Sequence, residues 1–300
     1  MTRRGLSPAL VLVVAVLAMG WAGPLVRLSA APALAIAVWR LLFALAVIGV
    51  LGALTGGTRP RGREWLAAIV AGVFLAAHFW SWIASVELTS VSSSVALVSM
   101  QPVFVAMLSA TFLGERPTAT QWAGIIIAVA GAFVIAWGDF GRGRNALLGD
   151  ALALSGAVLV SVYYVIGRRL RQRLDLWTYT GIVYGVAALV LLAAALASGV
   201  ELLHHPGREW AIFAALAALP TLLGHTGANY ALAHFRAYRV NLALLGEPII
   251  ASLLAWGLPA IREAPPAQTA VGGLLIVAGI ALGVMRRDPG SHGDAPERAT

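Results

Sequence analysis

Residues 101–131 read QPVFVAMLSATFLGERPTATQWAGIIIAVAG, and residues 247–279 read EPIIASLLAWGLPAIREAPPAQTAVGGLLIVAG. Each stretch opens on a polar residue and a proline, runs apolar, turns at a charged loop and runs apolar again over spaced glycines. The landmarks keep one order. Gln101-Pro102 and Glu247-Pro248 lie 146 positions apart, Glu115 and Glu263 lie 148 apart, and Gly124 with Val129-Ala130-Gly131 matches Gly272 with Val277-Ala278-Gly279 at an offset of 148. One small insertion between helices accounts for the slippage. Proline and glycine are common in membrane helices, so a single coincidence carries little. Three ordered matches predict a chain built of two related halves.

Outward from this pair, the whole chain has the same texture. A helix needs about 20 mostly apolar residues to cross a hydrocarbon core of about 30 Å. Ten segments fit, near residues 8–28, 32–54, 64–86, 91–113, 119–138, 146–168, 176–199, 209–233, 239–260 and 267–285, called spans one to ten below. Turn chemistry separates them, as in Thr55-Gly56-Gly57-Thr58, Gly114-Glu115-Arg116-Pro117, His204-His205-Pro206-Gly207 and Pro265-Pro266. The N-terminal run has some marks of a secretory signal but continues to Leu28, so it reads as an uncleaved first span. The stretch after Arg287 is polar and is expected to be disordered.

Composition agrees. The chain is 60% hydrophobic and 11% charged, with a mean hydropathy of +0.84. A soluble domain is about 25% charged, so this chain has too little polar surface to be a cytosolic enzyme or a free nucleic-acid-binding domain. The net charge of +8 comes from arginines placed between apolar runs, and all 21 basic residues are arginine. With no cysteine there is no disulfide, zinc–thiolate site or thiol nucleophile. His204-His205 lacks a third ligand at metal spacing and reads as a surface loop, and no Walker A, HExxH or GxSxG motif occurs. No catalytic residue, cofactor, metal or nucleic-acid partner is expected.

Positive charge stays on the cytoplasmic side of a membrane. Alternate loops, counted from the N-terminus, carry 14 arginines against five on the other side, so both termini should be cytoplasmic. Five spans is an odd number, so the second half must enter the membrane upside down. The expected fold is an all-α integral membrane protein of ten transmembrane helices in two inverted five-helix repeats. Such repeats recur in secondary transporters, whose site lies near the midplane between the halves.

Polar groups inside spans are costly and usually face a wet cavity. The deep set is Arg40, His78, Gln101, His225, Asn229 and Glu247. His78, Ser81, Trp82 and Ser85 share one stripe of span three, while Thr221, His225 and Asn229 share one face of span eight. The two histidines correspond under the repeat and should lie across from each other, either lining a pore or bonding a neighbouring helix. Glu247, beside a kinking Pro248, suits a substrate ammonium or a proton, or else is a buried acid or an interhelical tie. Its counterpart Gln101 is neutral, as expected if the two ends of a zwitterion are read differently. Arg40 suits a carboxylate but equally a tether to Glu247 or a carbonyl. Trp21, Trp82 and Tyr163 are the aromatic cavity candidates, able to stack on an apolar side chain or simply to pack. Glu115 beside Arg116 reads as a cap or loop ion pair, and the glycines of spans five and ten as a packing face between halves or between two chains.

These residues resemble the EamA-type exporters of the drug/metabolite transporter superfamily. The resemblance rests on Trp21, Arg40, the run Ser85 to Pro102, Leu113-Gly114-Glu115 and the glycine-studded fifth span, and it covers almost the whole chain. Arg262-Glu263 departs from the Gly-Glu of the first copy. The resemblance implies one EamA-like repeat over residues 1–145 and a second over 146–287, followed by the tail 288–300. It further implies export of amino acids or related metabolites across the plasma membrane by alternating access, with a small-molecule substrate, membrane lipid around it, and monomer or homodimer undecided. The aromatic and histidine content is similar to the YddG-type amino-acid exporter branch. Other readings are export of cationic drugs or nucleosides, and an intramembrane lipid-modifying enzyme.

Overall fold

The structure, a computed structural model, describes residues 6–137, 140–259 and 267–284. Arg3, Arg4, Arg262, Glu263, Pro265-Pro266, Arg286, Arg287 and the tail lie outside the described residues. Within them the chain is helix and short loop, and ten apolar spans follow one another. Nine are long enough by themselves to cross a membrane, and Ala119–Ile135 is a shorter apolar helix. The protein is a multi-pass membrane protein.

Four spans are broken. Span one is α1 (Pro8–Met19) and α2 (Ala22–Leu28); spans two and three are α3 (Ala33–Thr55) and α4 (Gly62–Leu88). Span four divides into α5 (Val91–Val98) and α6 (Gln101–Phe112), and span five is α7 (Ala119–Ile135). Spans six and seven are α8 (Ala146–Leu170) and α9 (Leu176–Ala197). Span eight runs from α10 (Gly207–Leu216) through a π-helical segment, Ala217–His225, into α11 (Thr226–Leu232). Span nine is α12 (Ala237–Leu244) and α13 (Glu247–Gly257), and span ten is α14 (Ala267–Val284).

Proline explains every break. A proline has no N–H to give the carbonyl four residues back, and its ring crowds that carbonyl. Val98, Leu216 and Leu244 stand four residues before Pro102, Pro220 and Pro248, and each ends its helix; α1 stops one residue short of Gly20, four before Pro24. In spans four and nine the proline then sits in the first turn of a new helix, where the missing N–H costs nothing. The expected kink at Pro248 is thus a clean interruption. In span eight the chain shifts to π register instead. Thr221 Oγ1 donates to the Leu216 carbonyl at 2.8 Å, replacing the bond that Pro220 cannot make.

Spans five and ten are zipped through glycine. A Cβ on Gly124 would stand 2.6 Å from the Gly279 carbonyl oxygen, and one on Gly131 would stand 2.6 Å from that of Gly272. The pairing reverses along the chain, so the two helices run antiparallel. With little hydrophobic drive inside lipid, close backbone approach through small residues is what holds such helices. The two glycine faces cover each other, and Ile126, Leu274 and Val277 point outward.

Polar ties close the ends of the bundle. Gly114, at φ +68°, takes the left-handed turn that glycine adopts without a Cβ penalty, and it aims Glu115 back at the second half. Glu115 pairs with Arg168 at 2.7 Å and accepts from the first N–H of α12, Ala237, at 3.2 Å. The expected ion pair exists, but with Arg168 and not with the adjacent Arg116. Asp175 caps α9 through the N–H groups of Trp177 and Thr178 and also accepts from the backbone and hydroxyl of Thr58.

Burial alone would raise the Asp175 carboxyl pKa, but the hydrogen bonds from Thr178 and Thr58 outweigh it and hold the group well below the ordinary carboxylate range. A folded pKa below the unfolded value of about 3.9 gives stability that is complete at neutral pH and is lost as pH falls toward the folded value. Asp175→Ala should therefore lower thermal stability by about 1 kcal/mol at pH 7, the usual worth of an N-cap. The gap between the two proteins should shrink below about pH 4. Melting curves in detergent at pH 7 and pH 3 check this, and an equal gap at both contradicts it.

Candidate functional site

The breaks converge. Met19 and Ala22, Val98 and Gln101, Pro220, and Glu247 are residues of the four interruptions, and all line one internal cavity. Unwound backbone at membrane depth is tolerated where it borders a cavity, and broken helices frame the sites of many transporters. Arg40, His78, Phe79, Trp82 and His225 complete the wall. The cavity contains about 380 Å³ of space not filled by atoms, its open mouth included. Spans one to four supply most of the wall, and spans eight and nine supply the rest.

Each side chain is held by an identifiable neighbour. Arg40 is almost wholly buried, at 1% exposure. Its Nε donates to Thr221 Oγ1 at 3.0 Å, on the π segment of span eight, and its guanidinium carbon lies 4.1 Å from the centre of the Phe79 ring. Its two terminal nitrogens, Nη1 and Nη2, have no hydrogen-bond partner. The alternatives of tether and receiver are therefore both present in one side chain: one edge is fixed and the other is free.

The histidines do lie across from each other, with ring centres 6.1 Å apart. His78 Nδ1 is 2.9 Å from the Gly156 carbonyl of span six, which puts the proton on that nitrogen if the ring is neutral and leaves Nε2 as an acceptor. The His225 ring contacts Phe79, Tyr163 and Tyr164, with the Tyr164 hydroxyl 3.5 Å from its Nδ1. Both histidines thus bond or pack on a neighbouring helix and also line the cavity.

Glu247 is the first residue of α13 and Gln101 the first of α6. Glu247 is partly buried on the cavity wall, within the field of Arg40, and its carboxylate makes no hydrogen bond or ion pair with any described residue. Trp82 is buried on the same wall with its indole N–H unpartnered.

Six of the nine residues expected at the site therefore meet there: Arg40, His78, Trp82, Gln101, His225 and Glu247. Three do not line the cavity. Tyr163 and Asn229 are fully buried behind His225 and bonded to each other. Trp21 is half-buried at the start of α2. The wet stripe of span three is also divided. His78 and Trp82 reach the cavity, but Ser81 Oγ donates to the His78 carbonyl, and Ser85 Oγ donates to that of Trp82 and bonds Ser94. A serine inside a helix can satisfy itself on its own backbone and needs no pore to face.

Phe79 and Pro220 carry more of the site than the sequence reading gave them, and Pro220 left a signal as a proline inside an apolar run. Thr221, read with His225 on one polar face of span eight, turns out to anchor Arg40.

Known proteins agree with this picture. The EamA-like transporter family matches the chain twice, over residues 6–137 and 147–285. A protein of Streptantibioticus cattleyicolor named a probable terminal-alkyne amino-acid exporter is 30% identical over 268 residues, covering 85% of each chain. The pseudopaline exporter CntI of Pseudomonas aeruginosa is 30% identical over 211 residues, covering 70% of each. A solved crystal structure superposes with a TM-score of 0.77 at 21% identity, covering 93% of this chain and 97% of its own, and so shares the fold. A chain matched over nearly its whole length, with broken helices around an internal cavity, is a transporter and belongs to the EamA-like transporter family.

Proposed function

We propose that the protein exports amino acids, bulky and aromatic ones included, across the cell membrane by alternating access. The observation that carries this is the pairing of a free guanidinium edge and a free carboxylate on the same cavity wall. A basic and an acidic group within each other's field, but with no hydrogen bond or ion pair between them, suit a ligand that brings both signs, and the apolar and aromatic remainder of the wall suits an uncharged side chain. The name of one relative speaks of an amino-acid cargo for that protein.

The two halves act as inverted repeats of five spans, residues 1–145 and 146–287, with both termini in the cytoplasm. The glycine zipper supports this. Gly124 meets Gly279 while Gly131 meets Gly272, so the contact between spans five and ten maps onto itself when the halves are exchanged. A self-complementary contact is the mark of a two-fold axis, and between antiparallel helices that axis lies across them, in the membrane plane. The breaks at Val98 and Leu244 and the two family matches follow the same division. Exchange of conformation between the halves then opens the cavity to alternate sides.

Purified protein in liposomes preloaded with unlabelled leucine or phenylalanine should accumulate the labelled amino acid transiently, with saturable kinetics, where protein-free vesicles do not. Absence of counterflow across a panel of the twenty amino acids defeats the proposal.

A further inference from the structure

The cavity offers more donors than it can satisfy. Arg40 Nη1 and Nη2 carry four N–H groups and Trp82 Nε1 carries a fifth, and none has an acceptor in the protein. Buried donors left unpaired are rare in folded proteins, and each needs an explanation. Packing does not provide it. Phe79 covers the face of the guanidinium and leaves its N–H edge free, while Thr221 engages Nε alone. Glu247 is close enough to share the wall but forms no ion pair with Arg40.

We propose that this edge is a carboxylate receiver: the two terminal nitrogens of Arg40 bind the two oxygens of a substrate carboxylate side by side, and the Trp82 indole N–H supports one of them. The planar fork of arginine matches a carboxylate in this bidentate way. A singly charged carboxylate suits the site better than a phosphate dianion, because Glu247 on the same wall is itself an acid. The inference rests on the export function proposed above and narrows it, since a carboxylate becomes obligatory for recognition.

Arg40 belongs to the first half and its anchor Thr221 to the second, on the one π-helical stretch among the described residues. Substrate bound at Arg40 is thus held at a contact between the two halves, where a change of access must be felt.

The test is competition against labelled leucine in liposome counterflow, using leucine, leucinamide, N-acetylleucine and isopentylamine. On the wild-type protein leucinamide and isopentylamine, which lack the carboxylate, should compete about tenfold or more weakly than leucine, the scale of charge-assisted hydrogen bonds left unmade. N-acetylleucine, which keeps the carboxylate but lacks the ammonium, should also compete more weakly than leucine, and its remaining competition should fall further in Arg40→Gln. In Arg40→Gln the preference for leucine over leucinamide should vanish, a change of ratio that a purely structural role of Arg40 does not produce. Trp82→Phe should keep the fold and narrow the same ratio, so the proposal stays open to test if the arginine variant fails to fold. Equal competition by leucine and leucinamide on the wild type overturns the receiver and leaves amino-acid export standing. An unchanged ratio in a folded Arg40→Gln also overturns it. Loss of counterflow with every amino acid on the wild type removes the export function itself.

Discussion

Leucine in place of Gly131 or Gly279 is expected to leave little folded protein in the membrane. At both positions even the first carbon of a side chain meets backbone: 2.6 Å from the Gly272 carbonyl oxygen for Gly131, and 2.5 Å from the Gly124 carbonyl oxygen for Gly279. A clash with a flexible side chain can be relieved by a rotamer, but a clash with a helix backbone can be relieved only by moving the helix. Overpacking of this kind costs about 1–3 kcal/mol where the surroundings can yield, and more where they cannot. Separating spans five and ten also forfeits the close packing that replaces hydrophobic drive inside lipid. Gly49 and Gly185 are matched controls. They lie in spans two and seven with nothing within 4 Å of a Cβ, so alanine there should be neutral or slightly stabilising. The yield of monodisperse protein after detergent extraction measures the difference. If Gly131→Leu elutes as cleanly and melts as high as Gly49→Ala, the zipper is not what holds these spans.

The second large effect belongs to Glu247. Glu247→Gln keeps the size of the side chain and leaves the Pro248 start of α13 intact, so the fold should survive. It removes the one acidic side chain that lines the cavity among the described residues. Loss of a charge that holds a substrate ammonium should cost about tenfold or more in transport, the worth of one charge-assisted hydrogen bond. The comparison is the initial rate of leucine counterflow at equal reconstituted protein, with elution and melting behaviour matched to the wild type. A wild-type rate in the folded variant excludes Glu247 from the pathway. The neutral counterpart Gln101 provides the contrast: Gln101→Glu places a second acid at the related helix start, and it should not rescue Glu247→Gln unless the two positions are interchangeable to the substrate.

Much of the architecture was legible because lipid imposes a length. Ten runs of about 20 apolar residues translate directly into ten spans, and their limits agree with the helices to within a few residues. Deep polar residues were equally legible, since each has to face either a cavity or a partner. The partners were not legible. Glu115 stands beside Arg116 in sequence, but the left-handed turn at Gly114 carries it to Arg168 and the start of α12. Asn241 is buried in span nine, bonded to its own helix at Ala237, and was not singled out among the polar groups.

Sequence by itself determined the number of spans, the helix breaks at Gln101-Pro102 and Glu247-Pro248, and the small-residue faces of spans five and ten. These follow from rules local to the chain: the thickness of the bilayer, the missing N–H of proline and the missing side chain of glycine. Only the tertiary structure decided which polar groups meet. Rotation of each helix about its axis sent His78 and Trp82 to the cavity while Ser81 and Ser85 bonded back to their own helix, and it placed Tyr163 and Asn229 behind His225. The π segment at Pro220 brought Thr221 to Arg40 and left the two terminal guanidinium nitrogens without a hydrogen-bond partner. Those outcomes depend on contacts between residues far apart in the chain, and no local periodicity encodes them.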